Sequence, residues 1–308
     1  MVLLSTQHIE WVEEAVAGTN PDYPTMLSFG YVESFEPTIE QLYEEVNYLP
    51  IQNASLPNRI GTRENIFYGV EDVSGSIEDT PTGIKFLQTC VMGNDSRTND
   101  SIHSFTIGET NNLSTTSYRV YTGCTVDSYS IKFEQDAKVT ESIEFQAMNV
   151  SNFGTTTYAN NLSGASHSAN PTAGTAMTWK NISGITWGGS AFSGVTVNSF
   201  TMDIDFDLFR VKDYNSSQST KTSAIVPTKR DIKVTLGVIY DSVTTMEQVR
   251  NNSIGDLVFG LEDSNSSSFV FTVSDVCFAE TPYTLEAGSV LSDDLESLSC
   301  TALNLSLA

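Results

Sequence analysis

Apolar side chains recur at every second position over much of the chain, the period of a strand that buries one face and wets the other. Phe200, Met202, Ile204, Phe206 and Leu208 alternate with Thr201, Asp203, Asp205 and Asp207, which predicts one strand over 200–208. Ile232, Val234, Leu236, Val238 and Tyr240 define a second strand, and Tyr129, Ile131 and Phe133 a third. Val139, Ile143, Phe145 and Ala147 make a partner for the third, although Glu141 interrupts their face. Residues 269–278 are apolar at enough consecutive positions to form a strand covered on both sides. Helical spacing is rare. Thr80-Pro81-Thr82 followed by Ile84, Phe86, Leu87 and Val91 predicts a short capped helix over 80–93, and 245–252 a second one. The pattern is that of an all-β chain with one or two short helices.

Gly, Ser, Thr and Asn concentrate in 94–101, 149–178 and 215–222, which read as loops. Residues 33–63 are acidic and aromatic with little strand character, and predict a long loop or arm. Its embedded Ile39, Leu42, Tyr43, Val46, Tyr48, Leu49 and Ile51 require something to cover them. These breaks divide the chain into an N-terminal segment (1–27), a first β half (28–148) carrying the arm, a loop-rich junction (149–178), a second β half (179–280) and a C-terminal tail (281–308). An internal repeat accompanies the division. Gly123-Cys124-Thr125-Val126-Asp127-Ser128-Tyr129-Ser130 matches Gly194-Val195-Thr196-Val197-Asn198-Ser199-Phe200-Thr201 at nearly every position, and 61–66 resembles 227–232.

Charge narrows the function classes. The 308 residues include 38 acidic and 15 basic side chains, a formal net charge of −23. Such a surface repels DNA, RNA and anionic membranes, which argues against a nucleic-acid reader. It also repels other copies of itself. In about 1 M salt the screening length falls to roughly 3 Å and most of that repulsion disappears. An acidic, Lys-poor, Asp- and Thr-rich chain fits an organism that keeps molar salt in its cytoplasm; an ordinary acidic mesophilic protein is the alternative. No apolar run reaches the roughly 18 residues of a membrane span, and the N-terminus lacks the basic region of a signal peptide. A soluble protein made in a cytoplasm is expected. Cys90, Cys124, Cys277 and Cys300 are far apart with no C-x-x-C pair, so neither a disulfide framework nor a zinc knuckle is expected.

The residues of chemistry form no constellation. His8, His103 and His167 match no metal spacing and read as surface residues. No nucleophile elbow, phosphate loop, zinc-protease or dinucleotide motif occurs. A glycosidase-like carboxylate pair stays open, because carboxylates are everywhere. Asp72 and Glu78-Asp79 lack the spacing of a calcium loop. No catalytic residue, metal ligand or cofactor is assigned. Asp203, Asp205 and Asp207 make the one sharp charge pattern, a ladder on one side of a strand. It is either an ordinary solvated face or the wall of a water-filled lumen past which a polyanion slides.

Two blocks carry a family resemblance. Gly69-Val70-Glu71-Asp72-Val73-Ser74-Gly75-Ser76-Ile77 followed by Thr80-Pro81-Thr82-Gly83-Ile84-Lys85-Phe86-Leu87 resembles the strand and short helix of the major tail tube proteins of long-tailed viruses. The block 121–131 leading to Val139-Thr140-Glu141-Ser142-Ile143-Glu144-Phe145-Gln146-Ala147 is similar to that family's central hairpin. The resemblance covers roughly residues 28–280 and, with the acidic composition, suggests a virus of a haloarchaeon. It implies a β-sandwich or barrel with a flanking helix, no enzymatic activity and no cofactor. It further implies hexameric rings stacked into a tube that conducts DNA without specifically binding it, and sheets continued from one subunit to the next. The implied partners are other copies and the tape-measure, terminator and baseplate proteins, with no membrane. The implied location is the virion tail, reached after assembly in the host cytoplasm. The arm residues named above are then candidates for bridging one ring to the next, and Asp203, Asp205 and Asp207 for facing the lumen. Three other readings compete: a surface adhesin or carbohydrate-binding module with Trp179, Trp187 and Tyr158 as a sugar platform, a carboxylate-dependent hydrolase, and a terminator that caps the tube.

Overall fold

The computed structural model describes residues 7–19, 21, 24–46, 65–92, 103–112, 116–154, 175–191, 195–212, 222–240, 247, 253–262, 268–279, 292–300 and 302–307. The first part of the chain forms β1 (Gln7–Glu13), β2 (Leu27–Ser28), β3 (Gly30–Val46), β4 (Asn65–Pro81), β5 (Phe105–Asn112), β6 (Thr116–Glu134), β7 (Thr140–Ala147) and β8 (Asn149–Val150). The second forms β9 (Ile182–Trp187), β10 (Ser190–Ala191), β11 (Val195–Asp205), β12 (Leu208–Lys212), β13 (Thr222–Pro227), β14 (Asp231–Tyr240), β15 (Gly255–Glu262), β16 (Ser268–Phe278), β17 (Ser292–Ser299) and β18 (Ala302–Leu307). The all-β expectation holds.

A central antiparallel sheet runs β3-β4-β7-β6-β11-β14-β17. Two sheets flank it. One runs β2-β1-β5-β6 and the other β10-β9-β15-β16-β18. The strand β6 belongs to two layers, pairing β5 with its first half and lying between β7 and β11 with its second. It changes layer at Gly123, whose φ is +65°. A Cβ there would also come within 2.6 Å of the Met148 side chain, so glycine is needed twice over.

Period-2 burial builds the core between the layers. Phe200, Met202 and Ile204 of β11 are buried, and Phe200 meets Phe259 of β15 with ring centroids 4.6 Å apart. Phe145 of β7 meets Tyr121 and Phe105 the same way, each at 6.4 Å. The alternations at 129–133, 139–147 and 232–240 all fall in strands with the expected buried face. Residues 269–278 form β16 as expected, although burial alternates along its first part and becomes continuous only at 276–278.

Several expectations need correction. The first part of the 33–63 region is not a strand-poor loop: 30–46 and 65–81 pair as one long hairpin, while 47–63 lie outside the described residues. Phe35, Pro37 and Ile39 alternate with Glu36, Thr38 and Glu40, but their side is only half-buried and a bulge at Gln41/Tyr43 interrupts the period. The helix over 80–93 shrinks to a π-turn at Leu87–Val91, because Thr80 and Pro81 complete β4 instead. The helix over 245–252 lies outside the described residues except Glu247. The strand predicted over 200–208 ends at Asp205, since Asp207 takes a left-handed φ of +44°. Blocks 123–130 and 195–201, which look like repeats, are antiparallel neighbours in the sheet, or nearly so, rather than corresponding strands. Loops 94–101 and 215–221 lie outside the described residues.

Glu141 does occupy the apolar face, as its place in the pattern requires. It stands in register with Asp79 of β4, and the two are 3% and 1% exposed. Burial pushes the Glu141 carboxyl up to about 7, partly offset by the neighbouring Tyr129 hydroxyl and Asp79 carboxyl. Burial, reinforced by Glu141, raises Asp79 well above the usual carboxylate range, so the pair holds a proton at neutral pH. The stabilisation from a raised carboxyl is complete below its unfolded pKa, near 4.5, and is lost as pH rises toward 7. We expect Glu141→Gln to remove a pH-dependent loss on the order of 3 kcal/mol between pH 4 and 8. Urea melts of both proteins across that range measure it, and parallel pH curves would contradict the assignment.

Candidate assembly surfaces

Each strand of the β3–β4 hairpin is 17 residues long, registered from Gly30 opposite Pro81 to Val46 opposite Asn65. Only Val73 to Asp79 of β4 pair with β7. Residues 40–46 and 65–72 therefore continue as a two-stranded ribbon beyond the sheet, about 23 Å at 3.3 Å per residue. A ribbon of that kind is marginal in water without further cover. Leu42, Tyr43 and Val46 lie on this overhang. Ile39 lies before it and packs against the chain's own core. Tyr48, Leu49 and Ile51 lie outside the described residues.

A second hairpin follows the same course and then bends. Past Asp205 the chain turns at Phe206 and Asp207. The Asp207 N–H donates to Asp205 Oδ1 (3.1 Å), and its carbonyl accepts from Thr228 Oγ1 (2.6 Å). The turn directs β12 and β13 onto the β4–β7 region. Arg210 fixes them there: Nε donates to Gln146 Oε1 (2.7 Å), Nη2 to the Val73 carbonyl (2.7 Å), and Nη1 lies 3.0 Å from Asp72 Oδ1. Lys212 reaches the other Asp72 oxygen at 3.2 Å. Sequence reasoning missed this clamp. Its signal was the scarcity of cations, since an arginine in so acidic a chain has carboxylates to meet. On the far side of the hairpin Phe209 and Val226 remain 61% and 44% exposed.

The face of the central sheet turned away from the core is acidic. Register and alternation put Glu36, Glu78, Glu144, Asp203, Asp231 and Glu296 on it, against Lys132 and Lys233. Asp203 accepts a hydrogen bond from Ser130 (2.6 Å) and stands opposite Lys233. Asp205 stands opposite Asp231. Asp207 leaves the ladder, since it sits in the turn. Lys229 pairs with Asp231, which raises the lysine pKa, helped by Asp205 and Asp207. The three aspartates thus form a two-rung ladder and a turn residue, with Lys233 opposite Asp203 and Lys229 near Asp205 and Asp207.

Other candidates are internal. His103 is buried rather than on the surface, its Nδ1 2.8 Å from Glu13 Oε1. His8 lies beside Glu10, and His167 is outside the described residues. Trp187 is buried and donates to the Val276 carbonyl (3.1 Å), so it belongs to the core rather than to a sugar platform. Trp179 also packs against the core, and Tyr158 is outside the described residues. The close carboxylate pair, Asp79 and Glu141, is buried at the core face. Cys90, Cys124 and Cys277 are buried free thiols. Among the described residues, no group of three or more metal-ligating side chains could hold an ion, and no helix is long and apolar enough to cross a membrane.

The family model described as "phage tail tube protein" matches residues 6–302, nearly the whole chain. The chain belongs to the phage tail tube proteins. That family is structural and its place is the virion tail, and membership implies assembly with other tail components. No curated protein matches the chain. In this tail tube protein the acidic sheet face, the overhanging ribbon and the clamped second hairpin are the features left for assembly to use. We expect a double-mutant cycle of Asp72→Ala and Arg210→Ala to give a coupling of about 1–2 kcal/mol in denaturant melts. Additive effects would show that the clamp does not hold the hairpin.

Proposed function

We propose that this tail tube protein forms hexameric rings that stack into the tube through which viral DNA passes to the host. The overhanging β3–β4 ribbon carries the reading. Its Leu42, Tyr43 and Val46, with Tyr48, Leu49 and Ile51 further along, supply apolar surface that stacking on the next ring covers. The acidic face of the central sheet, Asp203 and Asp205 among its residues, lines the lumen, and Asp207 stands at its rim. A wall of carboxylates repels a polyanion at every point and leaves it free to slide. Tape-measure, terminator and baseplate proteins meet the tube inside and at its ends, and assembly takes place in the host cytoplasm.

The net charge of −23 sets the conditions. Subunits that share so much charge associate only where salt screens it, which supports a haloarchaeal host. Sedimentation of the purified protein is expected to show rings or polymers at molar salt that dissociate on dialysis to about 0.1 M. A monomer at every salt concentration contradicts the assembly reading. Replacing Asp203, Asp205 and Asp207 together by Lys is expected to leave tubes intact and reduce DNA delivery at least tenfold. Undiminished infectivity of the variant virus contradicts the lumen assignment.

A further inference from the structure

Asp79 and Glu141 make the last rung of the ladder that joins the β3–β4 hairpin to the rest of the sheet. That ladder, between β4 and β7, runs from Val73 opposite Ala147 to Asp79 opposite Glu141. Among the described residues β3 pairs with β4 alone, so the hairpin hangs on these rungs. It is held at their two ends by different means. At Asp72 and Val73 the Arg210 clamp fixes it with a cation. At Asp79 two carboxyls meet, and among the described residues no lysine or arginine acts on either.

The groups packed around the pair offer little help. Neither Asp79 oxygen accepts a hydrogen bond from a fixed donor. From β3 the Gly30 backbone closes over the carboxyl, where a Cβ would come within 2.8 Å of Asp79 Oδ2. The Tyr129 hydroxyl adjoins from β6 and the Cys90 thiol from the π-turn, and burial together with the carboxylates pushes both up, so they stay neutral. Glu33 and Glu78 border, with the pair, a cavity of 280 Å³, and Lys138 there is already paired with Glu33. A proton shared by the two carboxyls supplies one donor and removes one charge. Without it two buried anions face each other at the terminal rung with no cation to offset them.

The second part of the chain repeats the plan without the pair. From edge to flank the first part runs β3-β4-β7-β6-β5-β1, and the second runs β11-β14-β17-β16-β15-β9. The register slips at Val32/Ser34 and Phe105/Ile107 recur at Val197/Ser199 and Gly255/Leu257. Ile77 stands opposite Ile143 as Leu236 stands opposite Leu295. Two residues on, Asp79 opposite Glu141 corresponds to Val238 opposite Asp293. Val238 is buried and apolar, so the plan itself does not call for two carboxyls at this rung.

We propose that Asp79 and Glu141 form a proton-operated latch on the β3–β4 hairpin. With the shared proton in place the last rung stays closed. Without it β4 parts from β7 at that end, and the hairpin hinges about the Arg210 clamp. The sign follows from Glu141, raised from 4.5 to about 7: the latch holds on the acid side and loosens as pH rises through 7. The latch belongs to the single chain and stands whether or not copies assemble.

Amide exchange of the full-length protein, read by mass spectrometry in urea below the unfolding range, tests it. Residues 77–80 and 141–143 are expected to exchange through a local opening that urea does not speed. After correction for intrinsic base catalysis, that opening is expected to grow about tenfold from pH 6 to pH 8, the release of one proton with a folded pKa about 7. Urea-insensitive exchange at the counterpart residues 236–238 is expected to keep one corrected rate at both pH values. Asp79→Asn, which leaves one carboxyl and gives it an amide donor, is expected to remove the pH dependence at 77–80, and Glu141→Gln to do the same. Exchange of 77–80 only through urea-sensitive global unfolding, or at one corrected rate at both pH values, overturns the latch. Variants that keep the wild-type pH dependence overturn its assignment to these carboxyls. If neither variant folds, the wild-type comparison of the two rungs decides alone.

Discussion

A backbone amide or carbonyl at a sheet edge has no partner of its own, and among the described residues one edge of the 17-residue β3 has no strand beside it. Most edges elsewhere in the chain are short, or covered, or both. The β11 edge is covered by β6, and β12 and β13 are clamped down by Arg210. Among the described residues, only β3 is long, two-stranded at its far end and without a strand on one side. A closed ring of sheets removes such an edge, and the remaining features can be ordered around that closure. The acidic face turns to one side, the packed aromatic core to the other, and the ribbon projects off the end.

Electrostatics opposes the same closure. Carboxylates outnumber cations on the sheet face, and several of the available lysines and arginines already serve local pairs: Lys229 with Asp231, Lys233 with Glu296, Arg210 and Lys212 with Asp72. With 38 acidic against 15 basic side chains, neighbouring subunits repel one another on balance. Association must come from backbone pairing and apolar cover, with salt doing the screening. The buried Asp79–Glu141 pair removes repulsion another way, by keeping a proton within the fold.

Much of this was legible in the residues. Strict alternation at 200–204 and 232–238 gave the core strands and their buried faces, because one dry face imposes a period of two. Glu141 announced itself by interrupting that period. The long hairpin was not legible, since its alternation over 35–40 is short and the bulges at Val32/Ser34 and Gln41/Tyr43 interrupt the period. Asp207 broke an otherwise perfect pattern because backbone conformation, not polarity, ended the strand. The first match that the residues displayed was that of two near-adjacent strands, while the second, 61–66 with 227–232, leads into β4 and β14 and lies partly outside the described residues. The true correspondence is carried by pairing partners and bulges, and side chains at matched places have diverged, as with Asp79 and Val238. The lumen ladder was half legible: the alternation put Asp203 and Asp205 on the wet face, and only the turn at 206–207 took Asp207 away.

The most direct test of the whole account is an electron cryo-microscopy map of particles formed by the protein at molar salt. The account predicts a hollow tube whose bore is lined by the acidic face of the central sheet, with a strand from a neighbouring copy laid along β3. A solid or irregular particle, or a tube with β3 open to solvent and the acidic face turned outward, would contradict it.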